Sequence, residues 1–255
     1  MSKRRRFVAT SVILSLGFIG IQFLTFYKIP AIFALALLTI GLFYWSLYEG
    51  LGKNMTLLTL ILPAFFTVGV GTFWFLLTGS IFARLPIVIF YGVGIYVLCL
   101  TSNIYTVAAI RTIALLRAAR GVGFVLTLVT SFLVFDAILS LRAAIPVAVI
   151  LVAVSSFPLF LQGYWSILLQ TEFSRNLIII SGVSGLVMGE VALGLAFWPV
   201  TVVVGSLFMT VAMYMLLGLG QAKLESRLFS QTVREYLVVG ILVFIGMFLA
   251  THWGA

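Results

Sequence analysis

The stretch "SGVSGLVMGEVALGLAFWPV", Ser181 to Val200, places a single acidic residue, Glu190, in a run of small and apolar residues. A run of about twenty apolar residues is the length that an α-helix needs to cross a hydrocarbon core of ~30 Å. A charged side chain inside that core costs on the order of 2.5–3.5 kcal/mol on insertion scales, so it usually has a partner or a role. The stretch therefore predicts a membrane-spanning helix with one acid that needs an explanation.

The composition of the whole chain is that of a membrane protein. Its 255 residues are 63% hydrophobic and only 8% charged, whereas soluble globular domains carry about 25% charged residues. A soluble fold could not cover so much apolar surface. We therefore expect the lipid bilayer to be the principal partner of this chain.

The formal net charge of +9 does not indicate a nucleic-acid partner. The basic residues are scattered between apolar runs, and phosphate binding needs them clustered on one face. With one cysteine, Cys99, and one histidine, His252, the chain lacks the usual ligands for metal and thiol chemistry. We expect no metal and no cofactor, and we find no HExxH or GxSxG signature of a hydrolase.

The apolar segments predict an all-α fold, a polytopic transmembrane helix bundle of about nine spans. We treat residues 1–255 as a single integral-membrane domain. The first apolar segment, about twenty residues long, exceeds the ~7–15 of a cleavable signal, so we count it as a span. The spans are predicted at about 7–27, 30–48, 55–77, 83–101, 121–141, 144–165, 176–197, 200–219 and 235–253.

The distribution of positive charge predicts a cytoplasmic N-terminus and an outside C-terminus, because short cytoplasmic loops are enriched in lysine and arginine. In this orientation only three of the fifteen basic residues, Lys28, Arg84 and Arg142, face the outside. The other twelve share the cytoplasmic side: Lys3, Arg4, Arg5, Arg6, Lys53, Arg111, Arg117, Arg120, Arg175, Lys223, Arg227 and Arg234.

The segment at about 103–120 is too short and too charged to be another span, and we predict an inner-surface helix partly covered by the bundle. Its arginines, Arg111, Arg117 and Arg120, are candidates for contact with anionic lipid headgroups on the cytoplasmic side. The alternative is that these three residues act only as an orientation signal.

The stretch "NIYTVAAIRTIALLRAARGVGFVLTLVT", residues 103–130, resembles segments of uncharacterised multi-span membrane proteins of bacterial candidate phyla. The resemblance covers about a tenth of the chain. It implies a multi-pass protein of the bacterial cytoplasmic membrane, and it implies no activity.

Three small residues, Ser181, Gly185 and Gly189, stand four apart and line one face of the predicted seventh helix. Small residues let membrane helices approach closely, so this face should pack against a neighbouring helix. Glu190 follows at the edge of the face. We therefore expect it to be turned toward protein rather than toward lipid.

Polar residues of three predicted spans fall at one depth, about 8–10 Å below the outer helix ends at 1.5 Å per residue. These residues are Glu190, Asp136 and Gln22, and Arg84 and Arg142 lie just above them. They are candidates for an outward-facing polar pocket that binds a proton, a cation or a polar headgroup. The alternative is that the acids pair with an arginine merely to hold helices together.

Three classes of function follow from these features. A small transporter or permease with an outer-leaflet polar site comes first, and it requires a water-filled cavity that reaches Glu190 and Asp136. A non-catalytic membrane scaffold or assembly subunit is the alternative, and it requires those acids to be sealed and paired. A lipid-modifying enzyme is the third class, although no catalytic residue is assigned. The sequence sets neither a substrate nor an oligomeric state.

Overall fold

The computed structural model describes residues 2–22, 24, 27–51, 55–76, 81–109, 114–170, 172 and 174–251, and at positions 22, 55 and 81–84 it describes the backbone alone. In this part of the chain all regular structure is helical, which confirms the predicted all-α class. The helices are α1 (Lys3–Gln22), α2 (Lys28–Leu47), a short 3-10 helix (Met55–Leu60), α3 (Ile61–Leu76), α4 (Ile81–Ala108), α5 (Leu116–Ser140), α6 (Ile145–Leu168), α7 (Arg175–Leu195), α8 (Val202–Leu224) and α9 (Ser230–Ala250).

Eight of the described helices, α2 to α9, are long and apolar enough to cross a membrane. The chain is therefore a multi-pass membrane protein by the length and composition of its helices. α1 has 20 residues but is not among the eight, because basic residues fill its first turn. The described part of the chain contains nine α-helices, as many as the predicted apolar segments, although the helix ends differ from the predicted ends by several residues.

The inner-surface helix predicted at about 103–120 requires a correction. Residues 103–108 continue α4, residues 116–120 begin α5, and 114–115 form a turn. α4 continues because the sequence from 101 to 109 contains no glycine or proline that would end it. The Tyr105 hydroxyl then donates a hydrogen bond of 2.9 Å to the Ala119 carbonyl, which ties the end of α4 to the start of α5.

The chain divides into two compact units, of which the first comprises Met1–Thr130 and Leu169–Glu172. In this unit α1 packs against α2 and α4, and α2 packs against α3. Buried hydroxyls connect three of these helices, because the Thr67 hydroxyl lies 3.1 Å from both the Thr39 hydroxyl and the Tyr91 hydroxyl. Tyr91 also stacks on Phe18, with ring centroids 4.8 Å apart.

The second unit comprises Ser131–Leu168 and Phe173–Ala255, and its most extensive helix contact is between α6 and α7. All three small residues of the α7 face are buried. A Cβ atom at Gly185 would lie 3.1 Å from the Ala153 carbonyl oxygen, and one at Gly189 would lie 3.2 Å from the Ala153 Cβ. Ser181 satisfies its hydroxyl by donating to the Leu177 carbonyl at 2.8 Å. The two helices therefore meet at a distance that larger side chains would not allow.

We predict that Gly185→Leu destabilises the protein by about 1–3 kcal/mol, because the added side chain would collide with the backbone of α6. The matched control is Gly182→Leu on the same helix, where a Cβ would meet nothing within 4 Å. Melting temperature in detergent should fall for the first variant and stay close to wild type for the second. Equal melting temperatures for the two variants would show that the α6–α7 contact tolerates a large residue.

Candidate functional site

Asp136 lies on α5 and is buried, with 4% of its surface exposed. α8 comes close to α5 here, since a Cβ at Gly205 would lie 3.2 Å from Leu139. This approach brings the Ser206 hydroxyl within 3.4 Å of Asp136 Oδ1, while the same hydroxyl lies 3.0 Å from the Val203 carbonyl. The hydroxyl group of Ser206 can therefore donate its hydrogen either to the Val203 carbonyl of its own helix or to the carboxyl group of Asp136 on α5.

Glu190 is exposed on α7. This corrects the expectation that the small face of α7 would turn Glu190 toward protein. Successive residues of an α-helix are rotated by about 100°, so Gly189 faces α6 while the next side chain points away from it. Glu190 shares the exposed surface of α7 with Leu186 and Leu193, and it has no hydrogen bond or ion pair with any residue that the structure describes.

The five residues predicted to share a polar pocket are distributed over the two units. Gln22 ends α1 and Arg84 lies in the first turn of α4, both in the first unit and both described by backbone alone. In the second unit, Arg142 is exposed in the turn after α5, with a positive φ of 47°. Between the described side chains of Asp136, Glu190 and Arg142 there is no ion pair. Their joint participation in one site stays a prediction.

Two adjoining cavities in the second unit are lined by apolar residues, and we call them together the α9 groove. The first, of about 300 Å³, lies between α7, α8 and α9, and the second, of about 270 Å³, lies between α8 and α9. Phe208 and Phe244 line both. The first is completed by Val191, Gly194, Leu195, Trp198 and Met247. The second is completed by Val211, Ala212, Met215, Leu237, Gly240 and Ile241.

Trp198 borders the α9 groove at the C-terminal ends of α7 and α9. Its indole Nε1 donates a hydrogen bond of 2.9 Å to the Thr251 hydroxyl. Its ring also meets Phe244 and Phe248 edge to face, with centroids 5.7 and 6.0 Å away. These contacts hold the end of α9 against the segment that follows α7. The predicted spans 176–197 and 200–219 leave Trp198 between them, and the sequence alone does not indicate its partner Thr251.

A second group that sequence reasoning missed is uncharged and lies on α6. Ser156 and Gln162 are buried, and the Ser156 Oγ and Gln162 Oε1 atoms have no hydrogen-bond partner in the described part of the chain. Between them stands Pro158, which cannot donate to the Val154 carbonyl. The predicted site residues were chosen mainly by charge, so this uncharged group was not among them. The sequence does indicate it, because Pro158 and Gln162 lie close together within an apolar segment.

The arginines predicted to contact lipid headgroups are described only in part. Arg111 lies outside the described residues. Arg117 is exposed and Arg120 is half-buried, and both lie in the first five residues of α5. Contact with anionic headgroups stays a prediction for these residues.

An ion-pair cluster that the tally of basic residues did not anticipate lies at the start of α1. The Lys3 Nζ atom lies 3.0 Å from Glu49 Oε2, and the Arg6 guanidinium donates to Glu49 Oε1. Glu49 follows the end of α2, so the cluster places the start of α1 beside the end of α2. The hydrogen bond from Arg6, followed by that from Lys3, holds the pKa of Glu49 below its usual value.

We predict that Glu49→Gln lowers the melting temperature at neutral pH and has no effect in acid. A carboxyl group whose pKa is lowered by folding contributes stability above its unfolded pKa, about 4.5, and loses it as the pH falls through the folded pKa. The difference between wild type and variant should therefore shrink as the pH falls below 4.5 and vanish once the pH is below the lowered pKa of folded Glu49. Glu172→Gln is the control, because it removes an exposed acid that has no described partner. A difference that persists in acid would contradict the ion-pair explanation.

Comparison with known proteins returns one family. A family model described as "Protein of unknown function (DUF5656)" matches residues 9–250, which include most of both units. No curated protein and no solved structure matches the chain. The family description carries no activity, so a function has to be inferred from the geometry of this chain.

Proposed function

Because the chain belongs to the DUF5656 family of proteins of unknown function, we propose a role drawn from its own residues, that of a non-catalytic assembly subunit in the bacterial cytoplasmic membrane. The observation that supports this most strongly is the environment of the two intramembrane acids. Asp136 meets the requirement for sealed and paired acids, because it is buried against Ser206 of a neighbouring helix. Glu190 does not meet it within the described residues, since it is exposed beside an apolar groove, and we assign its pairing to a partner protein. A transporter needs its acids to line a wet passage.

The proposed topology has nine crossings, with the N-terminus in the cytoplasm and the C-terminus outside. The role of α1 as a span is supported by its contacts along two candidate spans. Its start pairs with Glu49 after α2, its Ser11 hydroxyl donates to the Gly92 carbonyl of α4 at 2.6 Å, and Phe18 stacks on Tyr91. At 20 residues it is ~30 Å long, which matches the hydrocarbon core. The basic residues at its start support the cytoplasmic N-terminus.

The internally bonded hydroxyl groups of the second unit also support a structural role. Thr210 and Ser181 donate to carbonyl oxygens four residues earlier in their own helices, at 2.7 and 2.8 Å. Such bonds satisfy polar groups inside the helix and leave few of them to attract water. The Asp136–Ser206 contact joins α5 to α8 in the same way that polar side chains commonly join membrane helices.

α9 provides the surface through which the proposed assembly would form. Only 6% of its most apolar window is buried, against 33–56% in the other seven candidate spans. Lipid can cover apolar surface without any partner, so exposure alone does not require a protein contact. An exposed helix, a groove and an acid that has no partner among the described residues occur together here, and this combination favours a protein partner over lipid.

Transport is the second candidate function, and one observation favours it. Ser156 and Gln162 of α6 leave buried polar atoms without described partners on either side of Pro158. Interruptions of this kind in membrane helices are tolerated where neighbouring groups or ordered water satisfy the freed backbone. A hydrated spot on α6 would be the start of a polar pathway.

We predict that a photo-crosslinking amino acid at Ile241, which is exposed in the α9 groove, forms a discrete protein adduct in native membranes. The matched control is Leu37 on α2, which is also exposed, at 70%. Lipid adducts leave the mobility on a denaturing gel nearly unchanged, whereas an adduct with a partner protein adds its mass. If Ile241 yields only the lipid adducts that Leu37 yields, the assembly function is wrong.

We predict that Asp136→Cys, in a Cys99→Ala background, does not react with a membrane-impermeant thiol reagent in intact cells. Arg142→Cys should react, because Arg142 is exposed and the proposed topology places it outside. Arg227→Cys, also exposed, should react only after permeabilisation. Labelling of Asp136→Cys as fast as Arg142→Cys would support transport, and the reverse labelling of Arg142 and Arg227 would overturn the orientation.

A further inference from the structure

We infer that the α9 groove receives a transmembrane helix of a different protein, and that this helix presents a lysine or arginine side chain to Glu190. The inference rests on the proposed assembly function and names the chemistry of the partner. It follows from the lack of a described partner for Glu190, the shape of the groove beside it, and the positions of the basic residues of this chain.

No residue that the structure describes provides Glu190 with a hydrogen bond or an opposite charge. It lies five residues before the end of α7, or ~7–8 Å below that end at 1.5 Å per residue. In the proposed topology this depth is within the outer part of the hydrocarbon. Acids at such depth almost always face the interior or a partner, yet Glu190 is exposed and has no described hydrogen bond or ion pair.

The groove begins beside Glu190 on the same helix. Val191 and Gly194, one and four residues later, both line it. Gly194 shares the face of Glu190, and a Cβ there would meet nothing within 4 Å. An exposed glycine next to an intramembrane acid allows the backbone of another helix to approach closely enough for its side chain to reach the carboxylate.

The dimensions of the groove fit a helix. Its lining on α9 extends from Leu237 to Met247, a rise of ~15 Å over ten residue steps, which is about three turns. The floor carries Phe208 and Phe244, and the exposed flank of α9 forms one wall. An apolar helix placed there would cover surface that α9 otherwise leaves open, as in other complexes where a helix lies in an apolar groove.

The depth of Glu190 favours a basic side chain on a helix over the amine of a lipid headgroup. Trp198 follows the end of α7, and such residues are enriched at the membrane interface, where headgroups lie. Glu190 is eight residues earlier in the chain, about two turns deeper. A lysine or arginine on a spanning helix can extend its long apolar stem along the groove and place its charge at that level.

A second copy of this chain does not provide the required charge. The basic side chains that the structure describes lie within the first or last five residues of a helix or in a loop. The three basic residues nearest the outer side in the proposed topology are Lys28, Arg84 and Arg142. The first two stand in the first turn of a helix and Arg142 in the turn after α5, all nearer the helix ends than Glu190. The partner is therefore a different protein.

The test uses the full chain in phosphatidylcholine vesicles and a synthetic leucine-alanine transmembrane peptide with one lysine at the depth of Glu190. Energy transfer between labels measures association. We expect the lysine peptide to bind more tightly than the same peptide with leucine at that position. Glu190→Gln should weaken binding of the lysine peptide by on the order of 3- to 30-fold, the range of polar contacts between membrane helices. Glu190→Asp should retain part of it. Ile178→Gln, which places an amide at an exposed position about three turns earlier on α7 and outside the groove, should leave it unchanged.

A second variant tests the groove independently of charge. Gly194→Leu should fill the space beside Glu190 and abolish the preference for the lysine peptide, whereas Gly182→Leu, at an equally open glycine outside the groove, should not.

Equal binding by wild type and Glu190→Gln would overturn the inference. So would loss of lysine-peptide binding when phosphatidylethanolamine replaces phosphatidylcholine, because the groove would then hold a lipid amine. Either result would leave the adduct expected at Ile241 as a separate test of the assembly function.

Discussion

The inability of the hydrocarbon interior to hydrogen-bond polar groups constrains every part of this structure. Backbone groups satisfy one another inside helices, which is why the described regular structure is helical throughout. Side chains follow the same rule, since the hydroxyls of Thr67, Thr127 and Ser181 donate to carbonyl oxygens four residues earlier in their own helices. Polar side chains also satisfy one another between helices. Thr67 contacts Tyr91, and Ser206 contacts Asp136.

The two intramembrane acids meet this constraint in opposite ways. Asp136 is buried and has a hydroxyl donor from α8, so its polarity is used to join helices. Glu190 has no described donor and faces outward from α7, so its carboxyl group is accessible to a hydrogen-bond donor or a positive charge of another molecule. A protein that exposes one acid beside an apolar groove is better suited to lateral association than to a passage through its own interior.

Close approach between helices depends on small residues at particular positions. Gly185 and Gly189 bring α7 against α6, and Gly205 brings α8 near Leu139 of α5. The second of these approaches is what places Ser206 within reach of Asp136. Gly194 differs because the space beside it is open, and its lack of a side chain leaves room for the helix of the proposed partner. The lack of a side chain at glycine therefore serves both the packing of helices within the unit and the proposed contact with a partner.

The sequence by itself determined the all-helical class, the approximate position of each helix and the basic residues at their ends, because hydropathy, length and charge are local properties. It could not determine which way each helix faces, since apolar residues surround these helices on nearly every side and give little rotational signal. Glu190 was expected to face protein on the strength of its neighbour Gly189, but a rotation of about 100° per residue places the two on different sides. Only the tertiary structure could decide this, as it decided the pairing of Glu49 with Arg6, which stand 43 residues apart, and that of Asp136 with Ser206, which stand 70 apart. Those contacts arise from the packing of whole helices, which no single stretch of sequence contains.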